Sequence, residues 1–339
     1  MPNSSPIWVC HPKPLPDELL TSWMVRIAHG HSMKLQTFFR VSLGKGQEIW
    51  SRDVDRQTPE WLVRALSEHT GVGTKEIEQT SLLAYTQVLY QVYRWSGYQA
   101  WILPLKMRAT SYRHHGVQFC PQCLAEDHVP YFRKRWRVAF YTTCTKHNCM
   151  LHDRCPSCSA PVAFHRGEMG KFSLVNSGPI TLCHVCGFDL RGAQAKPPVI
   201  YDESAHQIFL PALRLLEGAA DIDPHYDVGF FSVFHQLCKS MLTHYSHVKL
   251  RQFVTEKIGA PEIQIGLKHE PIESYSLEDR HVVIQLAMWI LADPETRIID
   301  AWHHKAIRYN VLKKDFHLMP EWYQAVVERC ADWRGEAGL

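Results

Sequence analysis

No run of about 20 apolar residues occurs in this 339-residue chain, which excludes a membrane-spanning helix. Internal repeats and low-complexity tracts are missing as well. There is little excess charge of either sign: 37 Lys and Arg stand against 34 Asp and Glu, a net charge of +3. No apolar signal segment follows Met1. Pro2-Asn3-Ser4-Ser5-Pro6 leads into Trp8-Val9-Cys10, and His11 and Pro12 then interrupt it. A cytoplasmic location is therefore expected, where reducing conditions disfavour disulfides. An even complement of cysteines is lacking too: there are 11, concentrated in one stretch. What is present, 45% hydrophobic and 21% charged residues, describes a globular chain long enough for two or three domains.

The concentrated cysteines form a pattern. Four pairs share a two-residue gap: Cys120-Pro-Gln-Cys123, Cys144-Thr-Lys-His147, Cys155-Pro-Ser-Cys158 and Cys183-His-Val-Cys186. Such a gap lets one tight turn aim two soft donors at one point, and two turns complete the tetrahedron that Zn²⁺ prefers. Two structural zinc ions are expected, bound in zinc-ribbon or treble-clef-like modules. Sequential sites, first pair with second and third with fourth, are favoured over a cross-brace, because each closes a local loop. Either way no coordination position is left open for catalysis. Cys149 and His152 lie beside the second pair but lack a partner at the two-residue gap, so they are set aside. Cys10, Cys238 and Cys330 read as free, buried thiols.

Elsewhere the 3.6-residue period dominates. Leu19, Leu20, Trp23, Met24, Ile27 and Ala28 mark one buried helix face, with Pro16-Asp17-Glu18 as its first turn and Gly30 as its end. Leu35 to Val41 reads as a shorter helix. Thr58-Pro59-Glu60 opens another, Gly71-Val72-Gly73 turns the chain, and Thr74 starts a helix ending near Leu83. Helix, glycine-bearing turn and helix is the form of a DNA-reading helix-turn-helix, and equally of a plain helical hairpin. Glu76 and Glu78 beside Lys75 make the second helix a poor complement to phosphate. Further helices are expected over Ala205 to Gly218, Gly229 to Tyr245, Ser276 to Asp293-Pro294, and Pro320 to Val327. Gly259 to Tyr275 reads as an exposed connector. The fold class is thus mainly α: a helix-turn-helix-like domain over 1–100, a double zinc module over 101–200, and a helical domain over 201–339.

The bland net charge conceals unevenness. From Trp101 to Arg166 ten Lys and Arg face three acids, and Lys106 and Arg113 belong to that surplus of seven. Two basic, aromatic-laced stretches are candidate nucleic-acid or partner contacts: Arg133, Lys134, Arg135 and Arg137 in the first, and Lys305, Arg308, Lys313 and Lys314 in the second. Trp136 and Phe140 read as core anchors of a helix that presents the first set.

Leu15-Pro16-Asp17-Glu18-Leu19-Leu20-Thr21-Ser22-Trp23 resembles the opening motif of the TniQ family. Phe119-Cys120-Pro121-Gln122-Cys123, Tyr131-Phe132-Arg133, Trp136-Arg137, Cys144-Thr145-Lys146-His147 and Leu151-His152-Asp153-Arg154-Cys155 resemble its zinc segment. The likeness covers roughly the first 190 residues, with order, spacing and filler residues in agreement. Two positions depart: Thr145 stands where Pro is expected, and Cys149 where a small or apolar residue is usual. Neither is expected to touch a ligand. The resemblance implies a non-catalytic target-selection protein of transposons. Such a protein links target DNA, or an RNA-guided CRISPR effector complex, to an AAA+ ATPase transposition regulator, in some members as a homodimer. Two other readings compete. A zinc-binding helix-turn-helix transcription regulator would share the modules. An HNH-type nuclease would draw on His114, His115, His147 and His152, but it needs a His base and a second metal site that the sequence does not provide.

Overall fold

A computed structural model describes residues 7–44, 49–50, 52–105, 107–108, 111–112, 115–166, 179–243, 248–266, 270–316 and 318–331. Lys106, Arg113, His114 and the expected helix end at Tyr245 lie outside them. The chain is mainly helical and divides into two compact units. One comprises Met1–Thr86 with Tyr93–Pro197, the other Gln87–Val92 with Pro198–Leu339. No helix among the described residues is long and apolar enough to cross a membrane.

In the first unit, α1 (Leu20–Gly30) buries Trp23, Met24, Ile27 and Ala28, as its period requires. It ends where Cys10 leaves no room for a side chain: a Cβ on Gly30 would sit 2.1 Å from the Cys10 Sγ. Pro16-Asp17-Glu18 is not the first turn of α1. Asp17 adopts a left-handed φ of 56°, and its carboxylate pairs with Arg135 at 2.9 Å. Glu18 accepts hydrogen bonds from the Leu15 N–H, Ser22 Oγ and Arg26. Both acids serve buried partners rather than the helix dipole. There follow α2 (Leu35–Ser42), α3 (Glu60–Thr70) and α4 (Thr74–Thr80). Gly71 ends α3 at φ 70°, a conformation that costs glycine little. The turn packs Val72 inward and leaves Lys75, Glu76, Glu78 and Gln79 of α4 in solvent. Past Thr80 the chain tightens into a 3-10 turn, Leu82–Tyr85, instead of prolonging α4.

From here to Pro197 regular structure is sparse: hairpin β1 (Met107–Arg108) with β2 (Ser111–Tyr112), α5 (Pro121–Glu126), and hairpin β3 (Thr143–Cys144) with β4 (Cys149–Met150). The helix expected around Trp136 is a single 3-10 turn, Lys134–Arg137. Its carbonyls are already taken. Phe132 O accepts from the Leu19 N–H, Trp136 O from Gln118, and Arg137 O from Leu103, so an i+4 ladder cannot propagate. Trp136 and Phe140 are nevertheless fully buried.

The same segment carries the buried cations. Arg137 has no exposed surface. It bonds both Asp53 oxygens at 2.5 and 3.2 Å, approaches Asp55 at 3.4 Å, and donates to Leu103 O at 2.9 Å. Asp55 in turn accepts from the Thr21 N–H and Oγ, each at 2.8 Å, which locks α1 to this network.

The second unit is a helical cluster. Helices α6 (Glu203–Leu216), α7 (Val228–Met241), α8 (Leu250–Ile258) and α10 (Pro294–His303) all pack on α9 (Leu277–Ala292), which is apolar around most of its circumference and accordingly central. Asp202, Asp227 and Ser276 cap α6, α7 and α9 through side-chain acceptors. Asp293, expected only to stop α9, also caps α10 by accepting from the Thr296 N–H at 3.1 Å. Helices α11 (Tyr309–Leu312) and α12 (Glu321–Glu328) complete the unit. The connector expected over Gly259 to Tyr275 is only partly exposed. Ile263, Ile272 and Glu273 are buried, and Glu273 meets His235 at 2.9 Å. Residues 267–269 of it lie outside the described set.

Replacing Arg137 by Ala strands two acids in the interior, so a loss of about 3–5 kcal/mol is expected in urea unfolding. Burial, with Asp53 adding to it and Arg137 opposing, pushes the Asp55 carboxyl up to about 7. Between about pH 4 and about pH 7 the folded chain alone keeps that proton, so stability falls as pH rises through the window. Asp55→Asn cannot ionise. Relative to the parent it should gain stability from about pH 5 to about pH 8, and an unchanged offset across that range would refute the assignment.

Candidate metal centres

Each pair of the sequence pattern is a turn with a defined ending. Cys120 caps α5, its sulfur accepting from the Cys123 N–H at 3.5 Å, with Pro121 at the first helical position. A helix N-terminus of this kind favours the thiolate. The other three turns end on a left-handed residue: Asn148 at φ 44°, Ser159 at 59° and Gly187 at 75°. The Ser159 and Gly187 N–H groups close the two later turns onto Cys155 O and Cys183 O, each at 2.9 Å.

The fold brings these turns together in the sequential pairing. Cys120, Cys123, Cys144 and His147 form one set and Cys155, Cys158, Cys183 and Cys186 a second, with all donor atoms of a set within 4.8 Å of one another. Sulfur separations are 3.7 Å for Cys123–Cys144 and 3.6 Å for Cys155–Cys186 and Cys158–Cys183. A disulfide would need about 2.05 Å. The edge of a tetrahedron with Zn–S bonds of about 2.3 Å is instead about 3.7 Å. His147 Nδ1 stands 3.3 Å from Cys120 and Cys123 and 3.5 Å from Cys144, and its Nε2 faces Glu126 at 3.0 Å. An imidazole turned to the metal by a carboxylate on its far nitrogen is a common support for such a ligand. The donors therefore fit a tetrahedral, thiophilic cation. The Cys120 sulfur pushes the Cys123 thiol up, while hydrogen bonds from Cys120 and then Cys123 pull the Cys144 thiol down. A dication between them relieves that conflict by deprotonating all three.

The two centres differ in cover. Cys120, Cys123 and Cys144 are buried, whereas Cys158 and Cys186 are exposed. Burial, and then the charge of Arg166, holds His165 near the second set down at about 3, hence neutral. Cys238 and Cys330 are buried as expected, but Cys10 is only half-buried. His152 stacks on Phe119 and meets Gln194 O at 3.0 Å. Cys149, set aside on sequence, lies in contact with a candidate ligand: its sulfur is 3.7 Å from that of Cys120. The signal was its position opposite Cys144 in a two-residue hairpin, which the two-residue-gap criterion could not register.

The two basic stretches are placed differently. Arg133, 8% exposed, pairs with Asp127 at the end of α5 at 2.8 Å and lies over the Tyr131 and Trp136 rings. Arg135, 14% exposed, is bound to Asp17, and Lys134 donates to Gln79 O. These cations, with Arg137, are committed to internal carboxylates and carbonyls, and Arg137 has no surface to offer a phosphate. In the second unit Lys305, Arg308, Lys313 and Lys314 are all exposed. Lys305 follows α10, Arg308 immediately precedes α11, and Lys313 sits over the Tyr309 ring at 4.9 Å.

About two zinc ions per chain are expected by elemental analysis, falling to about one in Cys183→Ser while the helical content of the second unit persists. A folded, metal-free parent chain would remove these residues as ligands.

No curated protein matches the chain. The model of the TniQ family matches residues 9–151, from the segment ahead of α1 through β4, and so takes in every donor of the first centre. Over that segment the chain is similar to the TniQ family, a family tied to transposition.

Proposed function

We propose that this protein is a non-catalytic target-selection adaptor of DNA transposition. It links target DNA, or an RNA-guided CRISPR effector complex, to an AAA+ ATPase regulator, and it works in the cytoplasm. The family match over residues 9–151 carries this reading. The chemistry of the chain agrees with it. Each four-donor set fills a tetrahedron and leaves no position for substrate, so the two ions, proposed as zinc, act on the fold.

The proposed division of labour follows exposure. The proposed modules, helical over 1–100 and zinc-binding over 101–200, contain the family segment, whose buried cations hold it together. The helix-turn-helix form of α3 and α4 exposes more acid than base, which suits a protein partner better than phosphate. Lys305, Arg308, Lys313 and Lys314, within 201–339, are proposed as the nucleic-acid or partner contacts. Exposed Lys249 adds to them, because its N–H bonds Ala306 O at 2.8 Å, beside Lys305.

Replacing Lys305, Arg308, Lys313 and Lys314 together by Ala should flatten the log–log dependence of DNA affinity on salt by about 0.9 for each phosphate no longer neutralised, with thermal unfolding unchanged. Replacing Arg133 and Arg135 should instead lower stability. Pull-down of the ATPase and of the guide complex from the same gene neighbourhood tests the adaptor role. Tight, sequence-selective DNA binding with no partner captured would favour the transcription regulator instead.

A further inference from the structure

We infer that Cys149 is a reserve ligand of the first centre, able to replace His147 in the coordination shell. The inference rests on the reading of that cluster as a metal site. A fifth candidate donor, itself a sulfur, borders the four, in contact with one of them. The Cys149 sulfur stands 3.7 Å from Cys120, the same separation as that between Cys123 and Cys144 within the donor set. Hairpin register puts Cys149 directly opposite Cys144, on the strand that leaves the turn carrying His147. Both strands of this hairpin thus carry a sulfur to the centre, and His147 is the only nitrogen donor of the five.

Cover separates the two competitors. Cys120, Cys123, Cys144 and Cys149 are all buried, and His147 is the donor of the set that reaches intermediate exposure. What holds His147 in place is also exposed: Glu126, which faces its Nε2 at 3.0 Å, is half in solvent and shared with Lys146 at 2.7 Å. The imidazole itself is only 8% exposed, so it leaves the shell by moving with the hairpin tip and its half-exposed partner Glu126, while Cys149 stays buried on the outgoing strand. The exchange balances simply. The metal–Nδ1 bond breaks, the Cys149 S–H gives its proton to the departing imidazole, and a metal–sulfur bond forms. The centre passes from three sulfurs and one nitrogen to four sulfurs, gaining one negative charge, and no oxidant or reductant takes part. With His147 bound, the Cys149 sulfur stays in contact with that of Cys120 at 3.7 Å. The hairpin tip over Lys146 and His147 can then shift, for example against a docking protein, without release of the ion.

The full-length chain reconstituted with Zn²⁺, and separately with Co²⁺ as a spectroscopic probe, tests this. The parent and Cys149→Ala should each hold about two metal ions, and His147→Ala should still hold about two. Its cobalt form should show stronger thiolate-to-metal charge transfer than the parent, as a fourth sulfur requires. His147→Ala/Cys149→Ala should fall to about one ion, that of the second centre. A parent that binds no metal defeats the reading of the cluster itself. With a parent holding two ions, the inference alone is overturned if His147→Ala loses one, if the double variant keeps both, or if the cobalt spectrum of His147→Ala shows no sulfur gain. Failure of His147→Ala to fold where Cys149→Ala folds also overturns it, since a reserve ligand would have kept the hairpin closed.

Discussion

Buried Arg137 is the constraint on which the first unit depends. Its guanidinium has no solvent contact and must find its acceptors inside, which it does on Asp53, Asp55 and Leu103 O. These lie 84, 82 and 34 residues away in the chain. Because Asp55 also accepts from Thr21, satisfying one arginine fixes the start of α1, the loop before α3 and the strand-poor segment after Trp101. Among the described residues from 115 to 166 no helix exceeds six residues and no strand exceeds two. Periodic backbone hydrogen bonding therefore cannot be what defines that region. Cross-links between distant segments define it instead: the buried ion pairs, the Gln118 side chain donating to three carbonyls, and the two clusters of metal-type donors.

That dependence explains which parts of the molecule were legible in the sequence. Most helices were, since each rests on a local period, joined by a side-chain cap in α6, α7 and α9, whereas α8 and α11 were not read from the sequence. The donor pairs were also legible, because a two-residue gap is a local turn. Much of what stayed hidden was a relation between positions that no local spacing rule connects. The basic run Arg133 to Arg137 looks uncompensated because, apart from Asp127 on Arg133, its carboxylates, Asp17, Asp53 and Asp55, come from the first 60 residues. The same relations unmade the helix expected at Trp136, by taking its carbonyls for Leu19, Gln118 and Leu103. Cys149 was missed because its significance lies in being opposite Cys144, not in its spacing from another ligand. Helix α10 was missed for a different reason: Asp293-Pro294 carries a stop and a start in the same two residues, and only the stop was read.

Charge is divided between the units by the same logic. A cation that a fold needs is desolvated and paired, and one that a partner needs is left in water, where its attraction reaches about a Debye length. Arg133, Arg135 and Arg137 are of the first kind. Lys305, Arg308, Lys313 and Lys314 are of the second. A window count of Lys and Arg cannot tell the two apart. The surplus of seven around the donor clusters therefore says more about how that segment is held together than about what it binds.

The two centres are unequal in a way that bears on an adaptor. The second is closed by two turns of the same construction, each with a left-handed fifth residue, and it exposes Cys158 and Cys186. Any metal there holds a surface loop. The first lies inside the family segment, and Arg133 reaches it through Asp127 at the end of α5, so its donors are mechanically continuous with the buried-cation network. Glu18 bridges to Arg133 through the backbone, and Leu19 bonds Phe132 O, which carries that continuity on to α1. A displacement of the His147 hairpin tip would therefore meet a rigid frame on its buried side and only Glu126 and Lys146 on its exposed side. The exposed edge of the first centre is thus the Lys146–Glu126 pair, with the imidazole just beneath it.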